Sequence, residues 1–339
     1  MIAINGFINL YKPADWTSHD CVARLRRLLN TKKIGHGGTL DPKATGVLPV
    51  AVGKATRLLQ YLPDGKAYQA VVRFGVTTTT DDLEGDIVTQ QSAAGLRRED
   101  VEAVLPQFLG EIDQTPPIYS AIQVDGKRLY HLARQGKTVK VPTRRVTIRQ
   151  LKSQYWQPGE QAELTLDIDC GPGTYIRSLA RDLGAAMGTG ATLANLMRTH
   201  SSGFSLADSI TLEDIEQALQ TGKWELVAAG QAVQHLPAIT LPPDLAHRWR
   251  MGQKLPISDQ MTGEGLDELA AVSKDSPSAP LRILDADTQV FLGVGEIEIG
   301  EPTVALSNDQ DKPPTLIKIL SCKRVYLSQD GPGLTSAPN

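Results

Sequence analysis

The sequence predicts an α+β fold built in two parts. Strand and helix patterns mix over residues 1–210 without the regular strand–helix–strand repeat of a doubly wound sheet. At 339 residues the chain is too long for one small core, so two domains are expected. Near residue 210 the character changes from mixed and basic to acidic and β-rich.

The elements follow in order. TSHDCVARLRRLLN reads as a helix: Thr17 or Ser18 can cap it, Asp20 falls in its first turn, and Val22, Leu25 and Leu29 form an apolar stripe. Asp41 precedes Pro42, which biases it towards an extended or turn conformation. GVLPVAVG and KAYQAVVRFG read as strands. ELTLDIDC, Glu163 to Cys170, alternates cleanly, with Leu164, Leu166, Ile168 and Cys170 on one face. GPGT then turns the chain and can cap a helix through Thr174. Ile176, Leu179, Ala180, Leu183 and Met187 keep the helical spacing beyond it.

SITLEDIEQALQTG is a capped acidic helix, and with the proline-marked connection HLPAITLPPD it fills residues 211–245. A β-rich region over 246–328 follows, its clearest strands being TQVFLGVGEIEIG and TLIKILSCKRVYL. Within it, about 258–280 reads as an acidic surface insertion. The tail over 329–339 is expected to be disordered.

The charge is unevenly spread. The net −3 divides into +5 over residues 1–210 and −8 over 211–339, so an anionic partner belongs on the first part. No apolar run approaches the roughly 20 residues that span a bilayer, and MIAINGFINLYKPADW lacks the segments of a signal peptide. Cys21, Cys170 and Cys322 are scattered and form no CxxC pair, which points to a reduced, cytoplasmic setting without a zinc site.

Two stretches stand out. Lys32 to Arg57 holds five Lys/Arg and a single acid, Asp41, in GHGGTLDP. The residue types fit a glycine-rich turn in which Asp41 bonds its own backbone, or a site that needs one carboxylate. The segment Gly46 to Lys54 is not a nucleotide-binding phosphate loop, because its glycine spacing is wrong and Ala55 stands where Ser or Thr is required. No serine elbow or metal-binding histidine pair is present. The second stretch, Gly126 to Arg149, has eight Lys/Arg and no acid, with Tyr130 and His131 between them. It fits a solvated charged face or a flexible nucleic-acid contact. A third cluster, GPGTYIRS, sets Tyr175 and Arg177 at a helix start, off its apolar stripe. Arg177 is suited to holding an ionised carboxylate and keeping its pKa low.

Together these segments resemble the bacterial TruB family of tRNA pseudouridine synthases. The resemblance rests on GFINLYKPADWTSHD, KIGHGGTLDPKATGVLPVAVGKATRLLQYL, KAYQAVVRFG, PPIYSAIQVDGKRLYHLARQG, GTYIRSLARDLG and LANLMRTHSSGF, in family order over residues 5–205. RWRMGQKL, FLGVGEIE and CKRVYL resemble the PUA-type RNA-binding domain that follows in many members. The resemblance implies a mixed, largely antiparallel sheet core of the pseudouridine synthase type over 1–210, with flanking helices, a thumb-like insertion at about 116–145, and a small β-rich PUA-like domain over 246–328.

It also implies the chemistry. A uridine in the T loop of tRNA, position 55, would be flipped out and its glycosidic link moved from N1 to C5 without cofactor or metal. Asp41 of GTLDP would be the catalytic residue, acting on C1′, on a C2′ proton or on C6 of the base. His36 would pack against the rearranged loop, Tyr68 would stack on the uracil, and Tyr175 would contact the base or serve the final proton loss. Arg177 would pair with Asp41, and Leu196 would wall the pocket. Lys127, Arg128, Lys137 and Lys140 are candidate RNA contacts, and Lys12 and Lys54 are candidate structural or phosphate contacts. The expected partner is the T stem-loop of tRNA, bound by a monomer. The alternative is a non-catalytic tRNA-binding or RNA-folding protein on the same fold. Three features depart from the family: Asp15 where Gly is usual, Met197 where Arg is common, and the acidic stretch near 258–280.

Overall fold

The structure, a computed structural model, describes residues 4–120, 123–124, 127–128, 141–222, 224–272, 277–299 and 318–325. In chain order the first strands are β1 (Gly6–Lys12), β2 (Ile34–His36), β3 (Thr45–Val52), β4 (Lys66–Phe74), β5 (Val76–Thr78), β6 (Ile87–Gln90) and β7 (Gly110–Gln114). They are followed by β8 (Gln123–Val124), β9 (Lys127–Arg128), β10 (Arg144–Gln157), β11 (Glu163–Cys170), β12 (Ala191–Ser201) and β13 (Phe204–Ser205). Nine of these form one sheet in the order β1-β3-β12-β4-β11-β10-β7, with β2 added beside β3 and β13 beside β12. Every neighbour pair is antiparallel except β3 and β12, which run parallel through Thr45–Met197 and Gly46–Arg198.

The alternation in β11 does what it predicts: Leu164, Leu166, Ile168 and Cys170 are buried, and the residues between them are partly open. Helix α1 (Ser18–Leu28) begins at Thr17, whose side chain and that of Asp20 bond each other's backbone N–H in a capping box. Helix α2 spans Arg98–Val104. Helix α3 (Ile176–Ala186) buries Ile176, Leu179, Ala180 and Leu183 against the sheet. Its cap differs from the expected one. Thr174 donates its hydroxyl to Gly171 O (3.1 Å), closing the turn, and Tyr175 is the residue at the cap position. Helix α4 (Leu212–Thr221) is capped by Thr211 and Asp214 and ends on Gly222 at φ 68°.

A second sheet comprises β14 (Ala238–Leu241), β15 (Leu255–Pro256), β16 (Leu281–Asp285), β17 (Phe291–Ile299) and β18 (Lys318–Val325), in the order β14-β16-β17-β18-β15. Two expectations need correction here. The residues 211–245 are not only helix and connection: Ala238–Leu241 pairs in parallel with Arg282–Asp285 as the edge of this sheet. After the short helix α5 (Ala229–Ala232), helix α6 (Pro243–Arg250) also starts inside that stretch and buries Trp249. Nor is 258–280 a mere surface insertion. Met261 is 2% exposed, Val272 is buried with it in the same core, and Thr262 bridges to Thr240. Among its described residues Asp259, Glu264 and Asp267 are exposed, while Met261 and Val272 belong to the core.

The two sheets share apolar packing, with Phe7, Val47 and Ala51 in one cluster with Ala229, Val233, Phe291 and Val294. Most of the tract 126–149 that carries the candidate cations, including Lys137 and Lys140, lies outside the described residues, as does the tail 329–339. Lys127 and Arg128 lie on β9, paired with β8. Among the described residues no helix is long and apolar enough to cross a membrane. No group of three or more His, Cys, Asp or Glu among them could hold a metal ion. Cys21 and Cys170 are buried free thiols.

Candidate active site

The loop between β2 and β3 carries Asp41, and three side chains and one backbone N–H from distant positions fasten it. Leu40 N–H donates to Ser18 Oγ (2.9 Å), and Ser18 Oγ donates to Leu40 O (3.3 Å). Arg198, fully buried on β12, donates Nε to Val47 O (2.7 Å), Nη2 to Gly38 O (3.1 Å) and Nη1 to Thr39 O (3.4 Å). Asp15 N–H donates to Pro42 O at 3.0 Å. Lys12 Nζ donates to Pro42 O (2.9 Å), Pro13 O (2.8 Å) and Trp16 O (2.6 Å). The parallel junction with β12 demands glycine at 46: its φ is 99°, and a Cβ there would lie 2.2 Å from Arg198 O.

Lys12 therefore is not a phosphate contact. It is completely buried and its three protons are spent on carbonyl oxygens. Lys12→Met keeps the bulk and leaves those oxygens unpaired, so it should cost about 3 kcal/mol of stability. Chemical denaturation measures this loss. The salt dependence of RNA binding should be unchanged, whereas a lost phosphate contact would flatten it.

Arg177, at the first turn of α3, holds the Asp41 carboxylate by one hydrogen bond, Nη2 to Oδ1 at 3.2 Å, and by an ion-pair contact of Nε with Oδ2 at 3.0 Å. The guanidinium also donates Nη1 to Thr80 O (3.1 Å) and Nη2 to Tyr119 O (3.0 Å), and its Nη1 lies 3.5 Å from Asp82 Oδ2. One buried cation thus stands between two carboxylates. The Asp41 side chain keeps 41% of its surface, open to the cavity, while Arg177 keeps 7%.

Protein crowds the rest of the Asp41 carboxyl, and that desolvation pushes its pKa above 3.8. Arg177 and Lys12 pull it back down, and Asp82 adds to the rise. The expectation that Arg177 holds this pKa low is corrected: desolvation outweighs the ion pair.

The cavity beside Asp41 measures about 330 Å³, and Leu193, Ala194 and Leu196 give it an apolar wall. Lys43, Asp82, Leu83 and Glu84 line it as well. Asp41, Arg177 and Leu196 thus share one cavity. The lining does not include His36, Tyr68 or Tyr175. Tyr68 is 7% exposed and belongs to the core cluster that holds Leu40 and Ala44. Burial raises its phenol to about 12, so it carries its proton at neutral pH. Tyr175 is held at its backbone by the Gln114 amide, which accepts from Tyr175 N (2.8 Å) and donates to Tyr175 O (3.0 Å). His36 Nδ1 accepts from Gly38 N–H at 3.3 Å, and burial, then Arg198 and His19, lower its pKa below 6.5. Lys54 is half-buried, and its backbone N–H donates to Asn5 Oδ1 at 2.7 Å.

Sequence reading missed Asp82, Gln114, Arg198 and Lys43. Asp82 sits in TTTTDDLEGD among three other acids, where nothing singles it out.

Comparison with known proteins agrees along the chain. The profile of the TruB family pseudouridylate synthase N-terminal domain matches residues 26–176. A tRNA pseudouridylate synthase B C-terminal domain matches 177–242, and a pseudouridine synthase II TruB C-terminal domain matches 237–301. The tRNA pseudouridine synthase B of Trichormus variabilis is 54% identical over 88% of this chain and 96% of its own length. That of Acaryochloris marina is 52% identical over 89% and 98%. Among solved structures, a chain of an H/ACA RNP bound to a substrate RNA containing 2′-deoxyuridine aligns with TM-score 0.66 at 25% identity. The alignment covers 96% of this chain and 86% of that one. A chain of a Cbf5–Nop10–Gar1 complex aligns with TM-score 0.66 at 27% identity, over 95% and 85%.

Proposed function

The chain belongs to the TruB family of pseudouridylate synthases and isomerises uridine to pseudouridine in tRNA, and we propose that its target is the T-loop uridine at position 55, with Asp41 as the catalytic residue. The observation that carries this reading is the Asp41 carboxylate, held by a hydrogen bond and an ion-pair contact from buried Arg177 and open to a cavity walled by Leu193 and Leu196. A protein that only binds RNA has no use for a desolvated carboxylate facing an anionic ligand.

The reaction breaks the N1–C1′ bond, turns the uracil, forms a C5–C1′ bond, loses the C5 proton and gains a proton on N1. It is an isomerisation, so its atoms and electrons balance without an added reagent. Asp41 acts on C1′, on the C2′ proton or on C6; each route needs its ionised form and a fixed direction of approach. Arg177 supplies that direction, and Asp82 together with the Thr80 and Tyr119 carbonyls holds Arg177 in turn. The apolar wall keeps water from intercepting the detached sugar.

A base must leave the folded loop before its sugar reaches Asp41. We assign His36 to the rearranged loop nucleotides, Tyr68 to stacking on the flipped uracil, and Tyr175 to the base or the closing proton loss. Lys54, Lys127, Arg128, Lys137 and Lys140 are assigned to backbone phosphates, the last four on a thumb that closes over the T stem-loop. The catalytic domain is taken as residues 1–210 and the RNA-binding domain as 246–328. A monomer is the proposed active unit. The buried free thiols of Cys21 and Cys170 suit a cytoplasmic setting.

If Tyr68 stacks, Tyr68→Phe should be much milder than Tyr68→Ala, which should lose about 10- to 100-fold in kcat/KM. Equal losses would place its role in the hydroxyl. The target itself is tested with hairpins carrying tritium at C5 of uridine. Tritium should be released from the T-arm hairpin and not from the anticodon hairpin, and release from both would refute the T-loop assignment.

A further inference from the structure

The loop that presents Asp41 has two electrically different sides. On one side Asp41, Asp82 and Glu84 line the cavity around Arg177. On the other, Gly38 packs against two cations: a Cβ built on it would lie 3.6 Å from Arg198 Nη1 and 3.7 Å from Lys66 Nζ. The φ of Gly38 is 141°, so the backbone conformation, rather than a lack of space, disfavours a side chain there.

Lys66 opens β4 two residues before Tyr68, so the two share a face of the strand. Arg198 directs its N–H groups at the Gly38, Thr39 and Val47 carbonyls and also meets the Tyr68 hydroxyl, all neutral partners that leave its positive charge uncompensated. Among the described residues neither cation has a carboxylate within ion-pair distance. The acid whose charge reaches Lys66, Asp64, is exposed and forms no ion pair with it. Nearby cations are treated differently: Arg149, against Gly65, is paired with Asp169 at 2.6 Å, and Lys12 meets three carbonyls. Partial burial and the charge of Arg198 both oppose protonation of Lys66, so the site is improved by an arriving anion.

We infer that Lys66, backed by Arg198, binds a backbone phosphate of the RNA strand whose uridine enters the Asp41 cavity. The inference rests on the RNA reading above. A nucleotide carries a reactive sugar and a phosphate together. The carboxylates around Arg177 repel the phosphate, and the Lys66 side of the loop attracts it. The pair of charges therefore sets the direction in which the strand lies across the loop. Lys66 is a positioning residue and does not line the Asp41 cavity.

The test is binding of the T-arm hairpin to wild type, Lys66→Gln and Lys66→Arg across a series of salt concentrations, with far-ultraviolet melting to confirm folding. Lys66→Gln should weaken binding several-fold and lower the slope of log affinity against log salt by about 0.7–0.9, the value for one lost phosphate contact. Lys66→Arg should restore both. A second series replaces single phosphates flanking the target by neutral methylphosphonates. One of them should weaken the wild type and leave Lys66→Gln unaffected. An unchanged slope in Lys66→Gln, or a loss that Lys66→Arg does not repair, would overturn the subsite. These readouts are binding alone, so they remain decisive even if no uridine is converted, a result that would sink the enzymatic reading by itself.

Discussion

Asp41→Asn should abolish pseudouridine formation, by about 10⁴-fold or more in single-turnover rate, while tRNA binds as tightly as to wild type or slightly more tightly. The substitution keeps the shape and one hydrogen-bonding oxygen but removes the negative charge and the reactive lone pairs. Arg177 loses its ionic partner at 3.0 Å and still has Asp82 and two carbonyls, so the fold should survive. Affinity should not fall because the lost charge opposed an anionic ligand. Rapid quenching gives the rate and filter binding gives the affinity. A parallel loss of both would mean that the carboxylate serves the architecture of the loop rather than the chemistry.

Arg177→Met is expected to have the second largest effect. It leaves Asp41 and Asp82 facing each other without the cation between them, and leaves Thr80 O and Tyr119 O without a donor. Breaking a buried pair costs about 3–5 kcal/mol, and the lower end applies because Asp41 keeps 41% of its side-chain surface open. Loss of the fixed carboxylate geometry should slow catalysis by roughly 10²-fold or more.

The pH dependence gives a separate sign. Activity requires ionised Asp41, so it falls as pH drops through the pKa of that group, which burial already places above 3.8. Removing Arg177 takes away the largest opposing influence and moves this acid limb to higher pH. Asp82→Asn removes a charge that raises the Asp41 pKa and moves the limb to lower pH. Single-turnover rates across the acid range read both shifts. Movement in the same direction for the two variants would contradict the assigned network.

Much of the site could be read from the sequence because its chemistry clashes with its surroundings. A single carboxylate within a basic, glycine-rich stretch marked Asp41, and an arginine off the apolar stripe of α3 marked Arg177. Asp82 was hidden for the opposite reason, as one acid among several in a turn. Its pairing with Arg177 bridges the first strands and α3, a relation that no local spacing encodes. Arg198 reads as an ordinary strand cation, and only the parallel junction of β3 and β12 buries it behind the Asp41 loop.

Lys12 illustrates the limit most clearly. Its sequence setting left a structural or a phosphate role open, and the fold supplies the structural one through the Pro13 and Trp16 carbonyls of the turn that follows it and Pro42 O of the Asp41 loop. In the second sheet, β14 was masked by the prolines at 237, 242 and 243 and by its distant parallel partner β16. The acids of 258–280 drew attention away from Met261 and Val272, which anchor that segment in the core.

The central claim is that Asp41, held by Arg177, isomerises one uridine of the T loop. The most direct measurement is pseudouridine mapping at single-nucleotide resolution on a complete, unmodified tRNA, incubated with wild type and with Asp41→Asn without added metal or nucleotide. The expected result is conversion of the uridine at position 55 by wild type and of no uridine by the variant. Binding of the tRNA by wild type with every uridine intact, or equal conversion by both proteins, would contradict it.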